Sequence, residues 1–151
     1  MSLKNRNSMK NRLYGHKDFL SKFCIAKQKG ELHHAYLISG DIGIGKSFLS
    51  RQLAVYLLDD NNKKTLLDNS SILNEVEYVL SLNQENSVWR QVFYHSHPDM
   101  TYVSATKSDQ NKSGLIKLED IKSIANITNH QSGRGGWRVI IIDSLDKTNR
   151  N

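Results

Sequence analysis

Cysteine, proline and long apolar runs are scarce in this 151-residue sequence. The single cysteine, Cys24, excludes an internal disulfide and a cysteine-based zinc site. No apolar run approaches the roughly 18–20 residues that a membrane-spanning helix needs. The first residues are polar and basic, unlike a signal peptide. These absences predict a cytoplasmic protein without a membrane partner.

The formal net charge of +6 at first suggests a nucleic-acid ligand. Residues 1–12 alone contain four basic residues and no acidic one, which leaves a net charge of only +2 for the rest of the chain. We therefore interpret residues 1–12 as a basic, flexible, solvated tail and residues 13–151 as the folded part. A plain DNA-binding protein that acts through this tail is an alternative.

Helices and strands alternate along the chain. Apolar residues at helical spacing predict helices over 17–29, 46–58, 72–80, 88–93 and 121–128, and apolar runs rich in strand formers predict strands over 35–39, 100–105 and 137–143. The polar segments 59–71 and 106–114 are predicted loops. The nearly continuous apolar run of the last strand is typical of a strand buried on both faces of a parallel sheet. The pattern therefore predicts an α/β fold.

Residues 40–47, here called the glycine loop, fit the pattern G-x-x-x-x-G-K-[ST] of a phosphate-binding P-loop. Glycines let the backbone turn tightly, so that its N–H groups point at an anion, and the following helix adds the positive end of its dipole. Lys46 is expected to reach the β- and γ-phosphates, and Ser47 to bind Mg²⁺. The predicted nucleotide-binding residues here are Gly40, Asp41, Ile42, Gly43, Ile44, Gly45, Lys46, Ser47 and Phe48. An ordinary glycine-rich turn is the alternative.

A second motif ends the last predicted strand. Asp143 follows the apolar run 139–142, and an aspartate at the carboxyl end of a buried strand is where P-loop proteins hold Mg²⁺. The predicted cofactor is therefore ATP or ADP with Mg²⁺, held through Ser47 and Asp143. The next residue, Ser144, stands where several ATPase classes have a glutamate. The sequence thus favours nucleotide binding over hydrolysis, with weak ATPase activity at most and no predicted catalytic residue.

Several segments together resemble one family. They are LHHAYLI at 32–38, the glycine loop, HPD at 97–99, GWRVIIID at 136–143 and NRN at 149–151. They resemble the δ′ family of bacterial DNA polymerase III clamp-loader subunits, which are AAA+ proteins. The resemblance begins at about residue 10 and covers nearly all of the chain after it.

The resemblance implies a P-loop NTPase (AAA+) fold, a parallel sheet flanked by helices. It implies a scaffold subunit that joins τ/γ and δ subunits in a hetero-pentamer, which loads the β sliding clamp on primed DNA. By position, Gly15 and His16 match the region that borders the adenine.

Two departures from the family pattern lead to further expectations. Many relatives have a four-cysteine zinc module where residues 59–96 of this chain contain no cysteine, so we expect no zinc. The family also continues beyond NRN with a sensor strand, a helical lid and a collar domain. We therefore expect residues 13–151 to be the N-terminal part of an AAA+ domain, with a sheet that is incomplete at the C-terminus and folds poorly alone.

Two other functions stay open from the sequence. One is a self-sufficient small P-loop ATPase or kinase, for which the sequence offers no convincing catalytic acid or base. The other is a different clamp-loader subunit such as τ/γ, which usually has the zinc cysteines and an Asp-Glu pair after the last strand.

Overall fold

The computed structural model describes residues 13–59, 69–104, 106–108, 111–116, 124 and 136–143. The chain divides into two compact units, Met1–Arg90 and Gln91–Asn151. The described elements are α1 (Lys17–Gln28), α2 (Lys46–Leu58), α3 (Asn69–Ser81), α4 (Ser87–Phe93), β1 (Met100–Ser104), β2 (Thr106–Ser108), β3 (Asn111–Leu115) and β4 (Val139–Asp143). Within the described part of the chain, every helix is too short or too polar to cross a membrane.

Helix α2 is the central element of the first unit, and its bounds are those predicted from the sequence. Its buried residues are Leu49, Gln52, Leu53, Ala54, Val55, Tyr56 and Leu58. Burial at so many consecutive positions means that α2 is enclosed on most of its circumference, unlike a surface helix with one apolar stripe. Helix α3 packs against both α1 and α2. Helix α1 contributes Leu20, Phe23 and Cys24 to the same core.

A buried glutamine fixes the end of α3 to α2. Gln52 is fully buried, and its Nε2 donates hydrogen bonds to the carbonyl oxygens of Val79 (3.1 Å) and Leu82 (3.0 Å). The last carbonyls of a helix have no partner within the helix, so a side-chain donor satisfies them. Gln52 therefore fixes the relative position of the two helices.

A buried polar cluster joins α1, α2 and α3. The Glu75 carboxylate accepts hydrogen bonds from the Tyr56 hydroxyl and from Gln28 Nε2, the latter at 3.0 Å. Burial raises the pKa of Tyr56, and its hydrogen bond to Glu75 raises it further. The Lys27 ammonium lies 3.7 Å from the centre of the Tyr56 ring, a cation–π contact. Burial lowers the pKa of Lys27, while the Glu75 charge acts in the opposite direction.

The second unit contains two strand pairs among the described residues. β1 pairs with β4 in parallel, in a register that sets Met100 against Val139 and Ser104 against Asp143. Parallel neighbours need a long crossover connection, which agrees with the predicted α/β class. β2 and β3 form a separate antiparallel pair.

The predicted strand over 35–39 is wrong. These residues are irregular in the structure, and Leu37 is 79% exposed. An extended segment becomes a strand only where a neighbour pairs with its backbone groups, and no described residue pairs with this one. Tyr36 instead packs its ring on Phe23 of α1, with 5.2 Å between ring centres.

The predicted loops and the last strand also need correction. Segment 106–114 contains β2 and most of β3. Only two residues separate these strands, which is the spacing of a tight hairpin. Helix α3 begins at Asn69, inside the predicted loop 59–71. Ile142 on β4 is 39% exposed, so this strand is not buried on both faces. The predicted tail 1–12 and all of the predicted helix 121–128 except Ile124, which is helical, lie outside the described residues.

Replacing Gln52 tests its role at the end of α3. Gln52→Leu keeps the volume but leaves two carbonyls without their donor, and we expect the free energy of unfolding to fall by about 2 kcal/mol. Urea denaturation measures the loss. Gln84→Leu, at an exposed site, is the control and should cost less than about 0.5 kcal/mol. Equal stability of the Gln52 variant and the wild type would contradict this role.

Thiol labelling tests the burial of Cys24. Burial raises the pKa of Cys24 from its ordinary value of 9.0 to about 11. At about pH 8 the reactive thiolate therefore falls from roughly 10% to roughly 0.1% of the thiol. We expect Ellman's reagent to react at least about a hundredfold faster in denaturing urea than with the folded chain. Equal rates in the two solutions would show that this thiol is not buried in the core of the first unit.

Candidate functional site

The backbone of the glycine loop turns at positions that favour glycine. Gly40, Gly43 and Gly45 all have positive φ angles, of 146°, 89° and 92°. A side chain at Gly40 would also place its Cβ 2.6 Å from the Ile44 Cδ1 atom. The backbone conformation thus favours glycine here, whereas the close atom is the end of a flexible side chain that can move aside. The Ile42 side chain of the loop is fully exposed.

The Lys46 ammonium is bound to the backbone of this loop. Its Nζ donates hydrogen bonds to the carbonyl oxygens of Gly40 (2.8 Å) and Asp41 (2.7 Å). Gly45 is the N-cap of α2, and no side chain caps this end of the helix. The positive end of the helix dipole and the lysine ammonium therefore coincide at one loop, which is an arrangement that attracts anions.

The Ser47 hydroxyl accepts a hydrogen bond from a cationic side chain of the same helix. Arg51 lies four residues after Ser47, which places both on the same face of α2. Arg51 Nη2 donates a hydrogen bond to Ser47 Oγ at 3.1 Å. A Mg²⁺ ion bound to this oxygen at its usual distance of about 2.1 Å would lie close to the guanidinium. The positive charge of the guanidinium repels a divalent cation at this oxygen. As arranged, Ser47 does not fit the expected metal.

The Asp143 carboxylate also accepts a hydrogen bond, from another residue of the second unit. It ends β4, where its Oδ2 accepts a hydrogen bond from the Tyr102 hydroxyl at 2.6 Å. The Tyr102 ring stacks on His95 with 4.1 Å between ring centres and 16° between planes. Asp143 is therefore held in place by a neutral donor on β1. Nowhere in the described ranges do three or more His, Cys, Asp or Glu side chains form a group that could hold a metal ion.

Gly15 and His16, expected to border an adenine, lie at the start of α1. Both have positive φ angles, and His16 is the N-cap of α1. Gly15 lines an open cavity with Leu13, Lys17, Glu77 and Leu80. The described glycine loop does not line this cavity, so the structure does not bring the two predicted parts of the nucleotide site together there.

The HPD segment is a structural turn. The His97 imidazole is buried, and its Nδ1 accepts a hydrogen bond from the backbone N–H of Asp99 at 3.1 Å. The Asp99 carbonyl in turn accepts from the Val139 N–H at 2.9 Å. The turn therefore begins β1 and links it to the start of β4.

Sequence reasoning missed Arg51 and Tyr102. The spacing of Arg51 from Ser47 could have revealed the first contact, since residues four apart on a helix are neighbours. The second contact depends on the register of β1 against β4, in which Tyr102 lies opposite Ile141, two residues before Asp143. No local pattern gives that register.

The sequence matches the family described as DNA polymerase III, delta subunit, over residues 15–151. The chain belongs to this family. It is thus related to the DNA polymerase III clamp loader, which confirms the broader part of what the resemblance implied. No curated protein and no solved structure shows a significant match to the chain.

Substituting Gly45 tests the geometry of the loop. Gly45→Ala forces an L-residue into the left-handed region, and we expect the free energy of unfolding to fall by about 1–2 kcal/mol. The control is Gly136→Ala, whose added Cβ meets no atom within 4 Å and whose φ lies outside the left-handed region. Urea denaturation compares them, and equal losses in both variants would contradict the argument.

Proposed function

We propose that this chain is a δ′-like AAA+ subunit of the DNA polymerase III clamp loader that binds ATP or ADP at the glycine loop. The observation on which this rests is the family match over residues 15–151, a range that includes the loop. The match alone supports a relation to the clamp loader. The loop adds the nucleotide, since three left-handed glycines, a lysine ammonium and a helix N-terminus lie at one place.

In this proposal the loop's backbone N–H groups bind the phosphates, and Lys46 exchanges its two carbonyl partners for phosphate oxygens. Asp143 belongs to the second unit, and its expected role in holding Mg²⁺ stays a prediction from the sequence. ATP or ADP is the proposed ligand, and the expected absence of zinc stays a prediction. Hydrolysis is proposed to be weak, since Ser144 stands where active relatives have a glutamate.

The proposed partners are the τ/γ and δ subunits, and through them the β clamp and primed DNA. A subunit of this assembly acts beside the chromosome, so we place it in the bacterial cytoplasm. The proposed role is that of a scaffold that helps to load the clamp during replication.

Removing the lysine ammonium tests nucleotide binding. We expect Lys46→Ala to raise the Kd for ATP by about tenfold or more, because a charge-assisted hydrogen bond contributes about 1.5–3 kcal/mol. Calorimetric titration in the presence of MgCl₂ measures the affinity. Lys29→Ala, at an exposed position after α1, is the charge-matched control and should bind as the wild type does. An unchanged Kd in the Lys46 variant would refute the nucleotide site.

Assembly is tested separately by mixing the chain with purified τ/γ and δ subunits. We expect co-elution from a size-exclusion column as one complex. If the chain elutes alone while it still binds ATP, the scaffold role is wrong although the nucleotide site stands.

A further inference from the structure

Both side chains expected to hold Mg²⁺ already accept hydrogen bonds from protein donors. Ser47 Oγ accepts from Arg51 Nη2 at 3.1 Å in the first unit. Asp143 Oδ2 accepts from the Tyr102 hydroxyl at 2.6 Å in the second unit. These two observations are independent: the guanidinium opposes a metal ion at Ser47 Oγ, and the phenol competes with a metal ion for one oxygen of the Asp143 carboxylate.

The Arg51 contact is built into α2. Arg51 and Ser47 are four residues apart on this helix, and both are half-buried. Helix α2 is itself enclosed on most of its circumference, so the two side chains have a fixed backbone beneath them. The guanidinium thus occupies the neighbourhood of the hydroxyl that the motif assigns to the metal.

The Tyr102 contact is held from two sides. The phenol donates to Asp143, and its ring stacks on His95 at 4.1 Å. The stack on His95 stabilises this position of the phenol ring. Coordination of a metal by Asp143 Oδ2 would compete with this hydrogen bond.

We propose that the glycine loop binds the polyphosphate of a nucleotide without a divalent metal, and that Arg51 supplies the positive charge that the metal supplies elsewhere. This inference rests on the proposed nucleotide site and concerns the form of the ligand. A metal-free polyphosphate is more negative than its Mg²⁺ complex. It therefore suits a site with two cations, Lys46 at the end of the loop and Arg51 one helical turn further along α2. A planar guanidinium also matches phosphate oxygens in pairs.

The test is calorimetric titration of the intact chain with ATP, once in excess EDTA and once in excess MgCl₂. For the wild type we expect the two Kd values to agree within about threefold. Arg51→Gln should raise the Kd in EDTA by about tenfold or more, because a charge-assisted contact to phosphate is lost. Lys22→Gln, an exposed site on α1, removes the same charge and should leave the Kd in EDTA unchanged.

The outcomes distinguish metal-free binding from nucleotide binding itself. ATP that binds the wild type more than about tenfold tighter in MgCl₂ than in EDTA overturns metal independence and leaves the nucleotide site in place. An unchanged Kd for Arg51→Gln in EDTA overturns the role of Arg51. Absence of binding in both solutions overturns the nucleotide site and this inference together. Circular dichroism checks the fold of the variant, and if it is unfolded, the wild-type comparison alone decides.

Discussion

The enclosure of α2 is the constraint on which the first unit depends. A helix buried on most of its sides cannot rotate or slide without exposing apolar surface to water. Gln52 also fixes the position of α2 relative to α3, because its amide donates hydrogen bonds to two carbonyls at the end of α3. Since the glycine loop runs directly into the first turn of α2, the packing of the helix also determines where the loop and Lys46 lie.

The sequence predicts the helices of this unit well because the spacing of apolar residues that indicates a helix lies within the helix's own segment. The spacing of apolar residues predicts α2 with its observed bounds, and Leu20, Phe23 and Cys24 mark the buried face of α1. The segment 35–39 fails for the opposite reason. Its composition favours a strand, but a strand needs a partner from elsewhere in the chain, and composition does not supply one. The hairpin of β2 and β3 shows the converse, since polar residues form strands where backbone partners are close.

The candidate site divides in the same way. The glycines, Lys46 and Ser47 are close in sequence, so the motif predicts that they lie together, and the three glycines of the loop have positive φ angles. The partners of the two expected metal ligands were not predicted. Arg51 reaches Ser47 across one helical turn, and Tyr102 reaches Asp143 across a strand pair whose register only the fold determines. A motif names the residues that would meet a ligand, but it does not say which side chains of the helix or of a paired strand those residues already contact.

The two hydrogen bonds of Lys46 have a consequence for the heat of ligand binding. Its ammonium already has carbonyl oxygens of Gly40 and Asp41 as neighbours. In the proposed nucleotide site, phosphate oxygens take the place of these carbonyl oxygens at the ammonium. Capture of the anion is thus an exchange of one set of oxygen neighbours for another around a single nitrogen. The enthalpy gained at the lysine is a difference between two similar sets of bonds, and the freed loop carbonyls turn to water.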